Sequence, residues 1–269
     1  NVACHLHMLG ESVTIISRIG KDNFGHEVLN SLREKNISTD YIQLDNKEKT
    51  GIVNVNLDNM GNAAFEIVEP AAWDFIELTD QLIKKVSASD LLIFGSLAQR
   101  NSSSRKTIST LRTLVPITVF DVNLRPPYDN PEIVEDSFTG TQIVKLNDDE
   151  LRQISNWFGF PSDLREAAES ISLKFGCTTI CITRGENGAS LWHNGKWTEH
   201  NGFRVSVKDT VGSGDAFLAS MISGILTGLE DEKILTRANA LGAFVASKDG
   251  ATPGLDFNEI NRLISNPRK

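Results

Sequence analysis

Asp209-Thr210-Val211-Gly212-Ser213-Gly214-Asp215-Ala216-Phe217 decides how the rest of this chain is read. Two glycines flank a serine, an aspartate follows, and residues 216–222 continue as an apolar run. Glycines let the backbone turn tightly and bring its N–H groups close to a ligand. A helix starting behind them points its positive end into the same space, which makes an anion site suited to phosphate. Asp215 then puts a carboxylate at the mouth of that site. Such a charge makes sense if it takes a proton from a hydroxyl that attacks the phosphate. A plain helix start explains the same residues, with Ser213 or Asp209 as N-cap and Asp215 favoured by the macrodipole.

Length and composition narrow the classes. The 269 residues suffice for one large α/β domain or two small ones with a sizeable core. No stretch approaches the roughly 18 apolar residues of a membrane span, and no charged-then-apolar leader opens the sequence. The net charge of −8, without a basic block, argues against nucleic acid or an anionic membrane as partner. Of three cysteines, Cys177 and Cys181 are four residues apart along an extended strand, too far to bond to each other. They read as buried, reduced thiols of a cytoplasmic protein. The five histidines lack metal-ligand spacing; His5 and His7, two apart on a predicted helix, do not share a face.

Working outward, strand and helix patterns alternate. Residues 12–17 are β-rich and 22–35 have helical period. Residues 41–44, 51–57 and 63–68 alternate apolar and polar, the last two joined by Asp58-Asn59-Met60-Gly61. That block predicts a small antiparallel sheet with a hairpin. Short apolar strands at 91–94, 117–120, 143–146 and 179–183 then alternate with helices near 79–86, 101–114 and 162–175. Residues 188–192 and 196–199, around Asn194-Gly195, predict a second hairpin, and helices dominate from Gly214 onward. The expected fold is a doubly wound, mostly parallel α/β sheet with helices on both faces. Its core spans 1–35 and 70–269, and 36–69 form an inserted β lobe. Ligands of such sheets lie beyond the carboxyl ends of the strands.

Three post-strand segments carry polar chemistry. Asn147-Asp148-Asp149-Glu150 reads as a capping box, or as a place for Glu150 to hold a nucleotide's Mg2+ through water. Thr183-Arg184-Gly185-Glu186-Asn187-Gly188 is a hairpin loop or a cradle for outer phosphates. Asp121, Asn123 and Arg125 would face one way if their strand ran on, and would suit a polyhydroxy ligand; a surface ion pair before a proline stop reads equally well. No Gly-x-x-x-x-Gly-Lys-Ser/Thr, no Gly-x-Gly-x-x-Gly opening the first helix and no Gly-x-Ser-x-Gly occurs. These absences exclude a Walker-type loop and a hydrolase elbow, and disfavour a dinucleotide oxidoreductase.

With these segments in hand, the sequence resembles the ribokinase/fructokinase (PfkB-type) family of sugar kinases along essentially its whole length. Gly20, Asp22 and Gly25 resemble the family's Gly-x-Asp-x-x-Gly, and 147–150 its Asn-x-x-Glu. Residues 183–188 resemble its Thr-x-Gly-x-x-Gly, 209–217 its C-terminal signature, and Gly250-Ala251-Thr252-Pro253 its Gly-Ala-x-Pro. The resemblance implies an ATP-dependent phosphotransferase acting on a sugar hydroxyl. Asp215 would be the base, with the amides of Gly212, Ser213 and Gly214 as anion hole. Asn147, Thr183, Gly185, Gly188, Gly214 and Asn239 would hold ATP. Glu150 would help place Mg2+. Asp209, Val211, Val245, Lys248, Gly250 and Gly254 match positions for a monovalent cation such as K+. Asn1, Asp121, Asn123, Arg125 and Asp215 would meet the sugar.

By the same resemblance the 36–69 lobe would be a lid over the sugar, its free strand edge offering pairing to a second subunit. Residues 121–128 and Ala71-Ala72-Trp73-Asp74 resemble fructokinases most, while 2-keto-3-deoxygluconate kinases share the Asp-x-Asn-x-Arg row. Family members open with a strand bearing a sugar-binding aspartate, a lid strand and a Gly-Gly-x-x-x-Asn turn. This sequence opens at the matching asparagine, Asn1, so it is expected to be a piece of a longer protein. A nucleotide- or sugar-binding protein without turnover is the competing expectation.

Overall fold

The computed structural model of the protein describes residues 1–57 and 63–265. The elements begin with α1 (Val2–Met8), β1 (Ser17–Gly20), α2 (Asn23–Glu34), β2 (Ile42–Asp45), β3 (Val53–Leu57) and β4 (Ala63–Ile67). Next come α3 (Asp80–Ser87), β5 (Leu91–Gly95), α4 (Ser102–Arg112), β6 (Ile117–Asp121), α5 (Pro131–Phe138) and β7 (Ile143–Asn147). Then follow α6 (Asp148–Phe158), α7 (Leu164–Phe175), β8 (Thr179–Thr183), β9 (Ala189–His193) and β10 (Lys196–His200). Three helices close the order: α8 (Ser213–Leu226), α9 (Asp231–Ala246) and α10 (Phe257–Ser265). No helix among the described residues is long and apolar enough to cross a membrane.

These elements fall into two compact units. The first comprises Asn1–Val13, Ile93–Ser96 and Ile117–Lys269. It is built on a six-stranded sheet in the order β10-β9-β8-β7-β6-β5. β6, β7 and β8 run parallel, and β9 and β10 return as the expected antiparallel hairpin. Apolar residues in these strands point to both faces, as a covered sheet requires; Phe120, Leu146, Ile180 and Ile182 are fully buried. Helix starts follow local side chains: Asn147 caps α6, Asp163 caps α7, and each helix ends at a left-handed glycine, Gly159 and Gly176. α8 is apolar nearly all round, and residues 216–224 are buried without a break. It packs on α9, where Gly242 lets the Ser213 carbonyl approach, and on α1.

The parallel register fixes where chemistry can gather. Asp121 pairs with Lys145, and Asn147 with Thr183, so β6, β7 and β8 end side by side. Polar side chains leaving those ends share one edge of the sheet.

The second unit comprises Thr14–Leu92 and Leu97–Pro116. β1 and β2 form a parallel pair, and β3 and β4 an antiparallel pair of their own. Leu82, Val86 and Leu111 pack with Ile16 and Tyr41 into its core. Asp22 caps α2 and also accepts from the Thr50 amide and hydroxyl, so the Gly20-x-Asp22-x-x-Gly25 segment is a clasp within this unit. Arg100 grips the buried Asp74 at 2.7 Å and lies over the Trp73 ring.

Two sequence expectations fail here. The 12–17 run is not a strand; pairing with β2 starts only at Ser17, and strand propensity without a ladder partner does not make a strand. Residues 41–44 join β1 in parallel rather than the antiparallel hairpin, because alternation reports a half-buried strand but not its partner. The hairpin turn expected at 58–61 lies outside the described residues.

Candidate active site

The site grows from the start of α8. Gly212 is its N-cap and has φ +81°, the left-handed region that glycine enters freely. A side chain there would also overlap the Ala251 carbonyl oxygen, so the 250–253 turn is packed directly against this backbone. Ser213 donates through Oγ and its amide to the Thr210 carbonyl, at 2.7 and 3.3 Å. No side chain caps the helix, so beyond the engaged Ser213 amide its first turn keeps the anion-binding character of an open N-terminus. Space above Gly214 is open except for one group: the Lys145 ammonium, 3.6 Å from where a Cβ would stand.

Asp215 lies in this first turn and is half-buried. Its Oδ2 accepts from Asn1 Nδ2 at 2.8 Å, which joins two of the expected sugar-site residues across 214 positions. Asp121, at the end of β6, pairs with Lys145 Nζ at 3.0 Å, both side chains buried. Burial pushes the Asp121 carboxyl above its usual range, and the nearby Asp215 charge adds to it. Burial alone would lower the Lys145 pKa, but the Asp121, Glu150 and Asp215 carboxylates outweigh it and raise it. Lys145 thus faces three carboxylates, and the Arg125 guanidinium also acts on Asp121. Burial drives Asp121 upward, and the surrounding carboxylates drive Lys145 upward.

Glu150 is tied by both oxygens. Oε2 accepts from the Asn147 amide at 2.8 Å and Oε1 from the Leu124 amide at 2.9 Å, while Asn147 Oδ1 returns a bond from the Glu150 amide. The capping box is therefore real, and it reaches further than a cap by fixing the chain after β6. Burial raises the Glu150 pKa despite these bonds. A carboxylate so committed does not fit direct ligation of Mg2+. Among the described residues no group of three or more acidic, histidine or cysteine side chains is arranged to hold a metal. What the donor set does fit is a hydrated ion carried on the nucleotide.

The row at 121–125 does not form as expected. β6 ends at Asp121, and Asn123 has φ +42°, which turns the chain out of the strand. Asp121 is buried, Asn123 half-buried, and Arg125 is exposed with Nη1 on the Leu124 carbonyl at 2.8 Å. The three side chains therefore do not share a strand face.

Among the expected nucleotide residues, Asn147 and Thr183 are brought together at neighbouring strand ends. Gly185 (φ +55°) and Gly188 (φ +81°) bracket the loop; a side chain at Gly188 would overlap the His200 carbonyl, a requirement of the fold itself. Asn239 is buried and donates to the Leu235 carbonyl inside α9 at 2.8 Å. Of the expected cation positions, the 208–211 and 245–250 segments meet where the Lys208 and Asp209 amides share the Ala246 carbonyl. The Val245 carbonyl already accepts from Lys248 N, and Asp209 Oδ1 from Val211 N. Lys248 Nζ turns to Glu259. Gly250 lies in the same turn at φ +78°, and no side-chain packing demands glycine at Gly254.

Sequence reading passed over two residues here. Lys145 was signalled by a single charge inside an otherwise apolar strand. His5, buried on α1, donates through Nε2 to the Ala251 carbonyl at 3.0 Å; nothing in its spacing marked it.

Comparison with known proteins finds relatives along nearly the whole chain. The model for "pfkB family carbohydrate kinase" matches residues 1–258. Fructokinase of Salmonella typhimurium is 27% identical over 97% of this chain and 89% of its own length. A sugar kinase of Pyrococcus horikoshii, solved in complex with ATP, aligns with a TM-score of 0.80 at 28% identity, covering 93% of this chain and 82% of that one. Fructokinase of Xylella fastidiosa with bound ATP aligns with a TM-score of 0.85 at 22% identity, covering 100% and 89%.

Proposed function

Because the chain belongs to the pfkB family of carbohydrate kinases, we propose that it transfers the γ-phosphoryl group of ATP to a hydroxyl of a sugar of the fructose type. The observation that carries this reading is the meeting of Asp215, the Lys145 ammonium and the open first turn of α8 at the carboxyl edge of β6 and β7. ATP as donor rests on relatives solved with it, and fructose on relatives of that name at 25–27% identity.

In this reading the Asp215 carboxylate accepts the proton of the attacking hydroxyl while that oxygen bonds to phosphorus and ADP leaves. Asn1 donates to Asp215 Oδ2 and so orients the carboxylate. An aspartate is a weak base toward an alcohol, but a late proton transfer suffices in a loose transition state, contributing about 10²–10⁴-fold. The α8 amides and Lys145 face the charge that gathers on the migrating phosphoryl oxygens. Such preorganised donors are worth roughly 3–4 kcal/mol each when removed one at a time. When bound, Mg2+ would neutralise the phosphates, with Glu150 reaching it through water; K+ at the 208–211 and 245–254 turns is proposed on the same terms as its matching positions.

Exposed Arg125 also suits an acidic sugar, which keeps 2-keto-3-deoxygluconate in view. The test is turnover with ATP and Mg2+ against fructose, ribose, 2-keto-3-deoxygluconate and adenosine, with Asp215→Asn beside the wild type. Fructose is expected to give the highest kcat/KM, and Asp215→Asn to lose at least about 10²-fold in kcat with ATP binding kept. Near-normal turnover in Asp215→Asn removes this carboxylate from the mechanism; binding without any phosphorylated product makes the protein a sensor.

A further inference from the structure

The imidazole of His5 is fully buried beside this site, and only one of its nitrogens is engaged. Its partner is the Ala251 carbonyl, which can only accept, so the proton is on Nε2 and Nδ1 is left with a bare lone pair. Among the described residues Nδ1 has no hydrogen-bond partner. A leucine would fill such a space without burying an unpaired nitrogen. The costly residue therefore needs an explanation that packing does not supply.

The Ala251 carbonyl provides one. The same oxygen that His5 holds is the one pressed against Gly212, where any side chain would overlap it. Gly212 is the left-handed N-cap whose torsions aim the first amides of α8. One turn before His5 on the same face, Asn1 holds the Asp215 carboxylate, and the His5 amide bonds back to the Asn1 carbonyl. α1 thus clamps both working parts of the α8 start: the base through Asn1 and the amide turn through His5 and Ala251. We infer that His5 is a positioning residue for phosphoryl transfer, acting by fixing the Ala251 carbonyl that backs Gly212. This rests on the kinase reading proposed above.

His5→Leu keeps the bulk and removes the donor, whereas His5→Gln keeps an N–H at similar reach. Three measurements are made on each: far-UV circular dichroism, hydrogen exchange of the peptide covering 208–217 by mass spectrometry, and kcat and KM with ATP and the sugar found active. His5→Leu is expected to fold, to exchange about tenfold faster in that peptide, and to lose about tenfold in kcat, the size of one net hydrogen bond. Its sugar KM should stay within twofold. His5→Gln should restore both exchange and kcat. Should His5→Leu not fold, His5→Asn, whose amide is too short to reach Ala251, replaces it. Unchanged exchange over 208–217 in the leucine variant overturns the inference, and so does an equal loss in the leucine and glutamine variants, which would reduce His5 to filling. Absence of turnover in the wild type with every sugar refutes the kinase reading and the positioning role with it, while the exchange contrast still shows whether the contact exists.

Discussion

Replacing Lys145 by methionine separates what its ammonium does for the fold from what it does for the reaction. The Lys145–Asp121 pair at 3.0 Å is buried on both sides. At an effective dielectric near 20 its attraction is roughly 5–6 kcal/mol, largely offset by the several kcal/mol needed to bury each ion. Removing the lysine alone leaves a buried carboxylate beside Asp215 and Glu150, which typically costs about 3–5 kcal/mol. Protonation of Asp121 limits the loss. From an unfolded pKa near 3.9, neutralising a carboxyl at pH 7 costs about 4 kcal/mol, and at pH 5 only about 1.5 kcal/mol. The sign follows from linkage: Asp121 has a raised folded pKa, so its contribution is fully present below the unfolded pKa and is lost as pH rises through the folded one. Lys145→Met should therefore be destabilised by about 3–4 kcal/mol at pH 7 and clearly less at pH 5, measured by urea unfolding.

The double variant Asp121→Asn/Lys145→Met removes both charges and should recover to within about 1–2 kcal/mol of wild type. Its turnover should not recover. Without the ammonium beside Gly214, kcat is expected to stay about 10²–10³-fold down. A Lys145→Met protein as stable as wild type at pH 7 would refute the coupling of the pair. A double variant with turnover within a few-fold of wild type would show that the ammonium serves only Asp121.

Two smaller perturbations follow from the same geometry. In the 183–188 loop, Gly185→Ala meets open space at φ +55° and should cost about 1–2 kcal/mol, whereas Gly188→Ala drives a Cβ into the His200 carbonyl and should cost more than about 3 kcal/mol; equal melting temperatures for the two would contradict the close approach. His5 should give the protein an acid-side weakness. Burial lowers its pKa against the opposing pull of the Ala251 carbonyl and Asp215, so the stability it lends is present above its unfolded value of 6.5 and lost as pH falls through the folded one. Urea midpoints between pH 7 and 5 should therefore fall less steeply in His5→Leu than in wild type, and parallel slopes would argue against a neutral buried imidazole.

Much of this molecule is legible in its sequence where local rules and the fold agree. β5 to β8 stand out as short apolar runs between helices, and Asn147 with Glu150 announces α6 because both halves of the capping box are local. Partner choice is not local. Residues 41–44 look the same whether they join β1 or a hairpin, and residues 12–16 carry strand propensity that no ladder uses. The site divides in the same way. Asp215, Gly212 and Asn147 are visible because a helix start and a strand end fix them. Lys145, in contrast, matters because the β6–β7 register puts it opposite Asp121 and the chain returns 69 residues later with Gly214. The 121–125 spacing would set one strand face only if β6 ran on, and β6 ends at Asp121 before the left-handed Asn123.

Glu150 is where the two readings of one motif can be forced apart. Its oxygens accept one backbone amide each, from Leu124 and Asn147, so a glutamine there can satisfy one amide but must turn an NH2 toward the other. Glu150→Gln should consequently lose about 1–3 kcal/mol of stability whatever the residue does in catalysis. The charge count adds a separate expectation. Three carboxylates against the Lys145 ammonium and the Arg125 guanidinium leave this edge of the sheet with a small excess of negative charge, which opposes a polyanionic nucleotide unless a divalent cation travels with it. If Glu150 also steadies the water shell of that cation, the Mg2+ concentration needed for half-maximal rate should rise at least severalfold in Glu150→Gln while the sugar KM stays put. A variant that loses stability but keeps the wild-type Mg2+ dependence would make Glu150 a cap and a strap for Leu124, and the metal would then be held by the nucleotide and water alone.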